Sequence, residues 1–417
     1  MRRGLLALYL LMLSLAAINY ADRAVLSVAA PMIAAEFHIS TLTLGYLLSC
    51  FLWSYAASLI LWGFAVDRLG PRATTATGLT IWSLATVATG FCASLPTLFA
   101  SRFVMGGGEA SWSPSTGRLI RDWVPVVQRA LSHMIISTGS YAGPALGSVL
   151  FAWIASRYGW RSGFFVMGSF GAIWLIAWAI WFRPPDGALE TAEQAASGIP
   201  SGGMGQLIRN RSMWGLFFTQ GTGVYTHYLF LTWLPRYLVA TRNLTIMNTG
   251  MLAAVPYTVT IVAGLLLAHF SDRLLQARGT HTGERRRMVA AMLLLSAVVL
   301  ATPFANSTWL VLVFISVSMT GSAVANALNA SLLLDLLDSS NDAGKATGLL
   351  ITGGNVFGLL APIVTGYVIA ATGSYGGAFA VAGGLLIVGA VVVMTMTRGP
   401  IITRVVRSSS RTALAPS

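Results

Sequence analysis

Charged residues are scarce in this 417-residue chain, at 9%, whereas hydrophobic residues make up 55%. A soluble domain of ordinary composition carries roughly a quarter charged residues. The chain therefore has too little charge to cover a surface that faces water. Its outer surface must face something apolar, and the composition indicates a protein embedded in lipid.

Cysteine is also scarce, since Cys50 and Cys92 are the only two cysteines in the sequence. Both lie inside apolar stretches, and a structural zinc site needs about four ligands. We interpret them as packed thiols. The sequence also shows no nucleophile–base pair and no cluster of metal ligands, so we predict neither an enzyme nor a bound cofactor.

Acidic residues are half as frequent as basic ones, 13 against 26, which gives a net charge of +13. The basic residues lie in short clusters between long apolar runs and not on one soluble face, so we expect no nucleic-acid partner. If the N-terminus is cytoplasmic, 20 of the 26 fall in inner loops and tails and 4 in outer loops. Because basic residues concentrate in cytoplasmic loops, we predict that both termini are cytoplasmic.

Long apolar segments are abundant, and a membrane helix needs roughly 20 such residues to cross about 30 Å of hydrocarbon. The first segment follows Met1-Arg2-Arg3 like a signal peptide but continues without a cleavage signal, so we predict an uncleaved membrane helix. The fold class is therefore an all-α membrane protein with twelve transmembrane helices. The segments are 5–34, 44–66, 73–93, 95–119, 130–154, 162–182, 213–239, 248–270, 287–306, 308–334, 345–371 and 376–397.

A polar interruption at 183–212 has the proline, glycine and serine content of a linker. Short motifs recur on its two sides, such as Asp67-Arg68-Leu69 and Asp272-Arg273-Leu274. Repeated motifs at a nearly constant sequence separation favour two related, pseudo-symmetric six-helix bundles. We predict four regions, namely an N-terminal bundle at 1–183, a cytoplasmic linker at 184–212, a C-terminal bundle at 213–398 and a cytoplasmic tail at 399–417.

Four charged residues are placed in mid-membrane, Asp22 and Arg23 in the first predicted span and Arg102 and Glu109 in the fourth. Inserting a charged side chain at the middle of the membrane costs roughly 3 kcal/mol, so a functional site is favoured over a purely structural ion-pair network. Arg102 and Glu109 are about two turns apart and share a helix face. From the expected depths we predict that Asp22 pairs with Arg102, which leaves Arg23 facing a central cavity and Glu109.

This arrangement has a chemical use, because an arginine can hold a substrate carboxylate through two hydrogen bonds. Protonation of Glu109 or Asp22 would free the arginine that the carboxylate holds. Proton uptake would then be linked to anion binding at Arg23, as in a symporter. His227 lies among tyrosines in the seventh segment and either binds substrate, relays protons or only packs; the sequence leaves these open.

After the second segment, residues 63–72 read Gly-Phe-Ala-Val-Asp-Arg-Leu-Gly-Pro-Arg. This is similar to the loop signature of the major facilitator superfamily, Gly-x-x-x-Asp-Arg-x-Gly-x-Arg. The resemblance implies two six-helix bundles that rock about a central site. It also implies that Asp67, Arg68 and Arg72 act in gating and do not contact substrate.

Within that superfamily the chain resembles the anion:cation symporters, which include bacterial sugar-acid carriers. The resemblance implies that Asp22 and Glu109 are protonation sites, with Arg102 beside them in proton coupling, and that Arg23 grips the substrate carboxylate. The residues that carry it are Asn19-Tyr20-Ala21-Asp22-Arg23, Arg102-Phe103-Val104-Met105-Gly106-Gly107-Gly108-Glu109-Ala110, Phe230-Leu231-Thr232-Trp233-Leu234-Pro235 and Gly354-Asn355.

The same resemblance implies further substrate contacts in the cavity. Tyr20 and Tyr55 are similar to cavity tyrosines, and Asn355 to an amide that binds a hydroxyl group. At Ser140 the chain departs from the family's D-galactonate carrier, which has a glutamine there. The shorter side chain implies a different or bulkier anion.

We therefore predict a proton-coupled symporter that imports a small organic anion, a sugar acid of aldonate or hexuronate type, by alternating access. We expect a monomer in the bacterial inner membrane whose partners are this anion and the surrounding lipid. Two alternatives remain, an exporter or antiporter of organic anions and a non-transporting metabolite sensor on the same fold. The direction of flux under a proton gradient distinguishes an exporter from an importing symporter. Binding without flux would indicate the metabolite sensor.

Overall fold

The computed structural model describes residues 2–124, 129–182, 204–242, 244–278, 282–338 and 343–401. Within these ranges the chain is helical apart from short connections, and a 3-10 helix at Ala297–Phe304 continues α10. Residues 184–203 of the linker predicted at 184–212, and residues 402–417 of the tail predicted at 399–417, lie outside the described residues. The α-helices are α1 Arg2–Glu36, α2 Thr41–Gly90, α3 Leu95–Glu109, α4 Trp112–Trp123, α5 Arg129–Tyr158, α6 Trp160–Trp181, α7 Met204–Arg209, α8 Arg211–Arg242, α9 Ile246–Arg278, α10 Thr282–Ser296, α11 Thr308–Leu336, α12 Ala343–Thr372 and α13 Gly376–Met396.

All twelve predicted membrane segments are helical in the described residues. Eight helices there are long and apolar enough to cross a membrane by length and composition alone. The other four segments fall in the second part of α2, in α3 with α4, in α5 and in α8. Because α8 is buried over most of its length, it can carry polar side chains that a lipid-facing helix could not.

Two segment boundaries differ from the sequence prediction. The segments 44–66 and 73–93 lie in α2, which breaks at Gly70, where φ is 75°. A side chain would be strained in that conformation, so the glycine of the loop signature makes the turn before Pro71. The segment 95–119 is interrupted, since α3 ends at Glu109 and α4 begins at Trp112.

Glycines set how closely α3 approaches α2. A Cβ atom at Gly106 would lie 2.0 Å from the carbonyl oxygen of Phe51, and one at Gly108 would lie 2.8 Å from the backbone nitrogen of Trp82. Only a residue without a side chain permits this backbone contact, a common device between membrane helices. The contact holds Glu109 at a depth where it faces α1.

The two predicted bundles meet on one side of the membrane. We call the side where α1 begins the terminal side and the opposite one the far side. On the far side the hydroxyl groups of Tyr46 in α2 and Tyr367 in α12 are 2.7 Å apart, and a Cβ atom at Gly45 would lie 2.8 Å from the carbonyl oxygen of Pro362. Gly250 of α9 contacts α5 equally closely. These contacts close the far side.

Candidate functional site

A cavity of about 440 Å³ lies between the two predicted bundles, lined by residues of α1, α2, α4, α5, α8, α11 and α12. Its volume is in the range of small-molecule sites. The lining residues Ile136, Gln220 and Ile351 lie in the halves of their helices nearer the terminal side. The cavity therefore extends from the centre of the protein towards that side.

Arg23 lies at the deep end of this cavity. Its Nε donates a hydrogen bond to Oε1 of Glu109 at 2.8 Å, and its Nη1 donates to the hydroxyl oxygen of Tyr228 at 2.6 Å. The guanidinium carbon is 4.6 Å from the ring centroid of Tyr20 and 5.0 Å from that of Tyr55. The tyrosine faces favour a cation there, and the carboxylate neutralises it.

The pair is almost completely shielded, because the side chains of Arg23 and Glu109 are 3% and 0% exposed. Tyr55 also lies within hydrogen-bonding reach of the guanidinium group, in addition to Glu109 and Tyr228. An anion in the cavity could accept from the guanidinium group once Glu109 releases Nε. The guanidinium is thus placed to exchange an internal carboxylate for an external one.

The structure brings all six predicted substrate contacts into this one cavity. That these residues bind substrate stays a prediction, but the structure shows that they converge from five helices. The six lining residues are Tyr20, Arg23, Tyr55, Ser140, His227 and Asn355.

His227 lies within a group of three tyrosine rings. Its ring centroid is 6.2 Å from Tyr20, 5.4 Å from Tyr141 and 5.8 Å from Tyr228, in each case edge to face. The histidine both packs against aromatic rings and lines the cavity. The packing and binding interpretations are therefore compatible.

The predicted ion pair between Asp22 and Arg102 is wrong. Both residues are buried, but no described residue hydrogen-bonds to the three guanidinium nitrogens of Arg102 or to Oδ1 of Asp22. The guanidinium carbon of Arg102 lies 5.9 Å from the ring centroid of Phe51. Asp22 is close enough to interact electrostatically with both Arg102 and Glu109. A role in proton coupling for these two residues stays a prediction.

The predicted gating residues lie around the break in α2. Arg68 and Arg72 are exposed, and the backbone carbonyl of Arg72 accepts a hydrogen bond of 3.2 Å from the indole nitrogen of Trp178. The side chain of Asp67 lies outside the described part of the chain. Their gating role stays a prediction.

The sequence interpretation missed several cavity residues, among them Gln220, Tyr228 and Asn326. A signal for the first two was present, because Gln220, His227 and Tyr228 recur at helical spacing on one face of α8. Asn326 is a polar residue in the middle of an apolar segment, which marks a candidate site in a membrane protein.

Two helical bundles around a central cavity, with polar residues contributed by both, define a membrane transporter. The sequence profile of the Major Facilitator Superfamily matches residues 12–340 and 279–414. The chain belongs to this superfamily and is a multi-pass membrane transporter, not an enzyme. The superfamily predicted from the loop signature is thereby confirmed.

Curated relatives match along most of the chain. The probable galactarate/D-glucarate transporter GudP of Bacillus subtilis is 30% identical over 392 residues, which cover 88% of this chain and 86% of that protein. The probable sulfoacetate transporter SauU of Cupriavidus necator is 32% identical, with 89% of each chain covered. A D-galactonate transporter of Escherichia coli is 28% identical, over 88% of this chain and 89% of its own.

Solved structures share the fold at low sequence identity. The crystal structure of a D-xylose–proton symporter superposes with a TM-score of 0.74 and 13% identity, over 94% of this chain and 98% of that one. A bacterial homologue of the lysosomal transporter Spinster, in an inward-facing conformation, gives a TM-score of 0.70. These likenesses support the twelve-helix architecture.

Proposed function

We propose that this chain is a proton-coupled symporter that imports a small organic anion, a sugar acid of aldonate or hexuronate type, by alternating access. The observation that carries the proposal is the bond between Arg23 and Glu109 at the deep end of the cavity. The names of the relatives, which include transporters of galactarate, D-glucarate and D-galactonate, support the substrate class.

Charge balance in the buried site explains why a proton would accompany the anion. With Glu109 ionised, the pair with Arg23 is neutral. A substrate carboxylate added to that pair would leave one uncompensated negative charge in a poorly solvated place, which is costly. If Glu109 takes up a proton, Arg23 and the substrate carboxylate form a neutral pair instead, with two hydrogen bonds available to the anion.

The polar lining of the cavity supports a hydroxylated anion over an apolar one. Tyr20, Ser140 and Asn355 offer hydroxyl and amide groups in addition to the charge of Arg23. A carboxylate at Arg23 would place the rest of the molecule among these groups. An apolar anion would leave them without partners.

The proposed orientation defines which side of the membrane the cavity faces. With both termini cytoplasmic in a bacterial inner membrane, the far side is periplasmic and the cavity faces the cytoplasm. The bundles at 1–183 and 213–398 would rock about the cavity, joined by the linker at 184–212. We propose a monomer, with the proton as coupling ion and no other cofactor.

Uptake by proteoliposomes under an imposed pH gradient tests the proposal. With an acidic exterior, D-gluconate, D-galactonate or galactarate should accumulate above its external concentration, and a protonophore should abolish the accumulation. Arg23→Ala should abolish uptake. Arg287→Ala, which removes an exposed arginine that pairs with Glu284 on its own helix, is the matched control and should transport normally.

Two results would overturn the proposal. Uptake that does not respond to the gradient would exclude proton coupling, and net efflux under an inward gradient would indicate an exporter. Binding of a sugar acid without any flux would indicate a non-transporting metabolite sensor on the same fold.

A further inference from the structure

Asn329 of α11 is fully buried and bonds to two groups of α8. Its Nδ2 donates to the backbone carbonyl of Leu216 at 3.0 Å and to Oε1 of Gln220 at 3.1 Å. A carbonyl oxygen can only accept, so the bond to Leu216 determines which end of the Asn329 amide is the nitrogen. Gln220 must then present its oxygen to Asn329.

This bond has a consequence for the cavity, which Gln220 lines. With its oxygen engaged by Asn329, the free end of the Gln220 side chain is the NH₂ group. In the described part of the chain that nitrogen has no hydrogen-bond partner. The cavity wall therefore carries an oriented donor that no protein group uses.

Asn326 supplies an acceptor on the same wall. It lies one turn before Asn329 on α11, so the two share a helix face, and it also lines the cavity. Its Oδ1 is buried against Gly223 and accepts no hydrogen bond from any described residue, so the side chain must turn towards the cavity to offer this acceptor. Gly223 of α8 leaves room for this side chain, because a Cβ atom there would lie 2.4 Å from Oδ1 of Asn326.

We propose that Gln220 and Asn326 read the hydroxyl groups of the substrate and that Asn329 is the residue that positions Gln220 for this role. The inference rests on the proposed function, in which Arg23 holds the carboxylate. A hydroxyl group both donates and accepts, so it matches a wall with one free donor and one free acceptor. The chemical class that satisfies both amides is a polyhydroxylated carboxylate.

The structural alternative is that Asn329 only joins α11 to α8 through its bond to Leu216. That role would affect the stability of the protein and the binding of every substrate alike. A positioning role would instead change the discrimination between substrates that differ in one hydroxyl group. The test therefore compares epimers.

Equilibrium binding of D-gluconate, D-galactonate and D-mannonate to the purified full chain provides that comparison, because the last two each differ from D-gluconate at a single carbon. Gln220→Leu should weaken binding of the preferred epimer by about ten-fold, the effect of one hydrogen bond, and narrow the spread of Kd values. Asn329→Leu should do the same. The double variant should lose little more, because the two residues act as a unit.

Thr219→Val is the matched control for packing. Thr219 neighbours Gln220 and is buried, and its hydroxyl group donates to the carbonyl oxygen of Gly215 on the same helix, away from the cavity. This variant should keep the wild-type spread among epimers. If Asn329→Leu does not fold, Asn329→Asp removes the donor at nearly constant volume, and the new carboxylate should reverse the Gln220 amide and alter the spread.

The outcomes separate this inference from the proposed function. Wild-type protein that binds none of the three sugar acids, and no galactarate, overturns both. If the wild-type protein binds all three epimers with equal Kd values, only the proposed recognition of hydroxyl groups is overturned. The same holds if Gln220→Leu leaves the differences between the Kd values unchanged. Equal weakening of all epimers by Asn329→Leu, or additive losses in the double variant, shows that Asn329 is merely structural.

Discussion

Nε of Arg23 lies 2.8 Å from Oε1 of Glu109, while Nη1 of the same guanidinium lies 2.6 Å from the hydroxyl oxygen of Tyr228. Glu109 ends α3 in the first bundle, and Tyr228 belongs to α8 in the second. One arginine of α1 therefore links the charge balance of the cavity to the contact between the bundles. The first three predictions test this linkage.

Glu109→Gln should abolish proton-driven accumulation while substrate exchange persists. The amide oxygen can still accept from Arg23, but the side chain can no longer take up a proton. Gradient-driven uptake and counterflow in proteoliposomes measure the two activities separately. Glu284→Gln, the same change at a carboxylate paired with Arg287 on one helix, should accumulate substrate normally. Undiminished accumulation by Glu109→Gln would contradict the assignment.

Arg23→Lys should weaken anion binding by about ten-fold or more. Lysine keeps the charge, but a single ammonium group cannot bond Glu109, Tyr228 and a carboxylate with the fixed geometry of a guanidinium. The dissociation constant for a sugar acid is the measurement. Arg287→Lys is the control and should bind as the wild type does. Equal affinity in Arg23→Lys would show that charge alone suffices.

Tyr228→Phe should lower the free energy of unfolding by about 1.5–3 kcal/mol, the range for a hydrogen bond to a charged group. The hydroxyl oxygen accepts from the buried Arg23, and the phenyl ring leaves that donor without this partner. Thermal unfolding in detergent measures the change. Tyr158→Phe, at a tyrosine 66% exposed, should unfold like the wild type. A stability loss equal to that of this control would argue against the bond.

Gly45→Ala should open the far side. A Cβ atom at this position meets the carbonyl oxygen of Pro362 at 2.8 Å and Cα of Gly366 at 3.3 Å, so α2 and α12 must separate. A cysteine introduced by Thr365→Cys, at a buried position of α12, should then react faster with a water-soluble thiol reagent. The native Cys50 and Cys92 are buried, which keeps the background low.

Gly384→Ala is the matched control for this change, since nothing lies within 4 Å of a Cβ atom there. It should leave the labelling rate unchanged. If Gly45→Ala labels no faster than this control, the glycine contact does not hold the far side closed.

The sequence alone determined the class of protein and the positions of its twelve helices. The length of a hydrophobic segment is a local property of the chain, so each membrane helix can be predicted from its own residues alone. The signature at 63–72 identified the superfamily for a similar reason, because a break such as that at Gly70 requires particular residues at adjacent positions. Charges placed inside apolar segments likewise marked where the site would lie.

Only the tertiary structure decided which charged groups meet. Neighbouring residues such as Asp22 and Arg23 point about 100° apart on a helix, so the rotation of α1 decides which of them faces Glu109. That rotation, and the depth of α3 against α2, depend on close contacts at glycines such as Gly106. The same holds for Gln220 and Asn329, which lie 109 residues apart and whose bond depends on how α8 packs against α11. Pairing across helices is a property of packing, and no local pattern in the sequence specifies it.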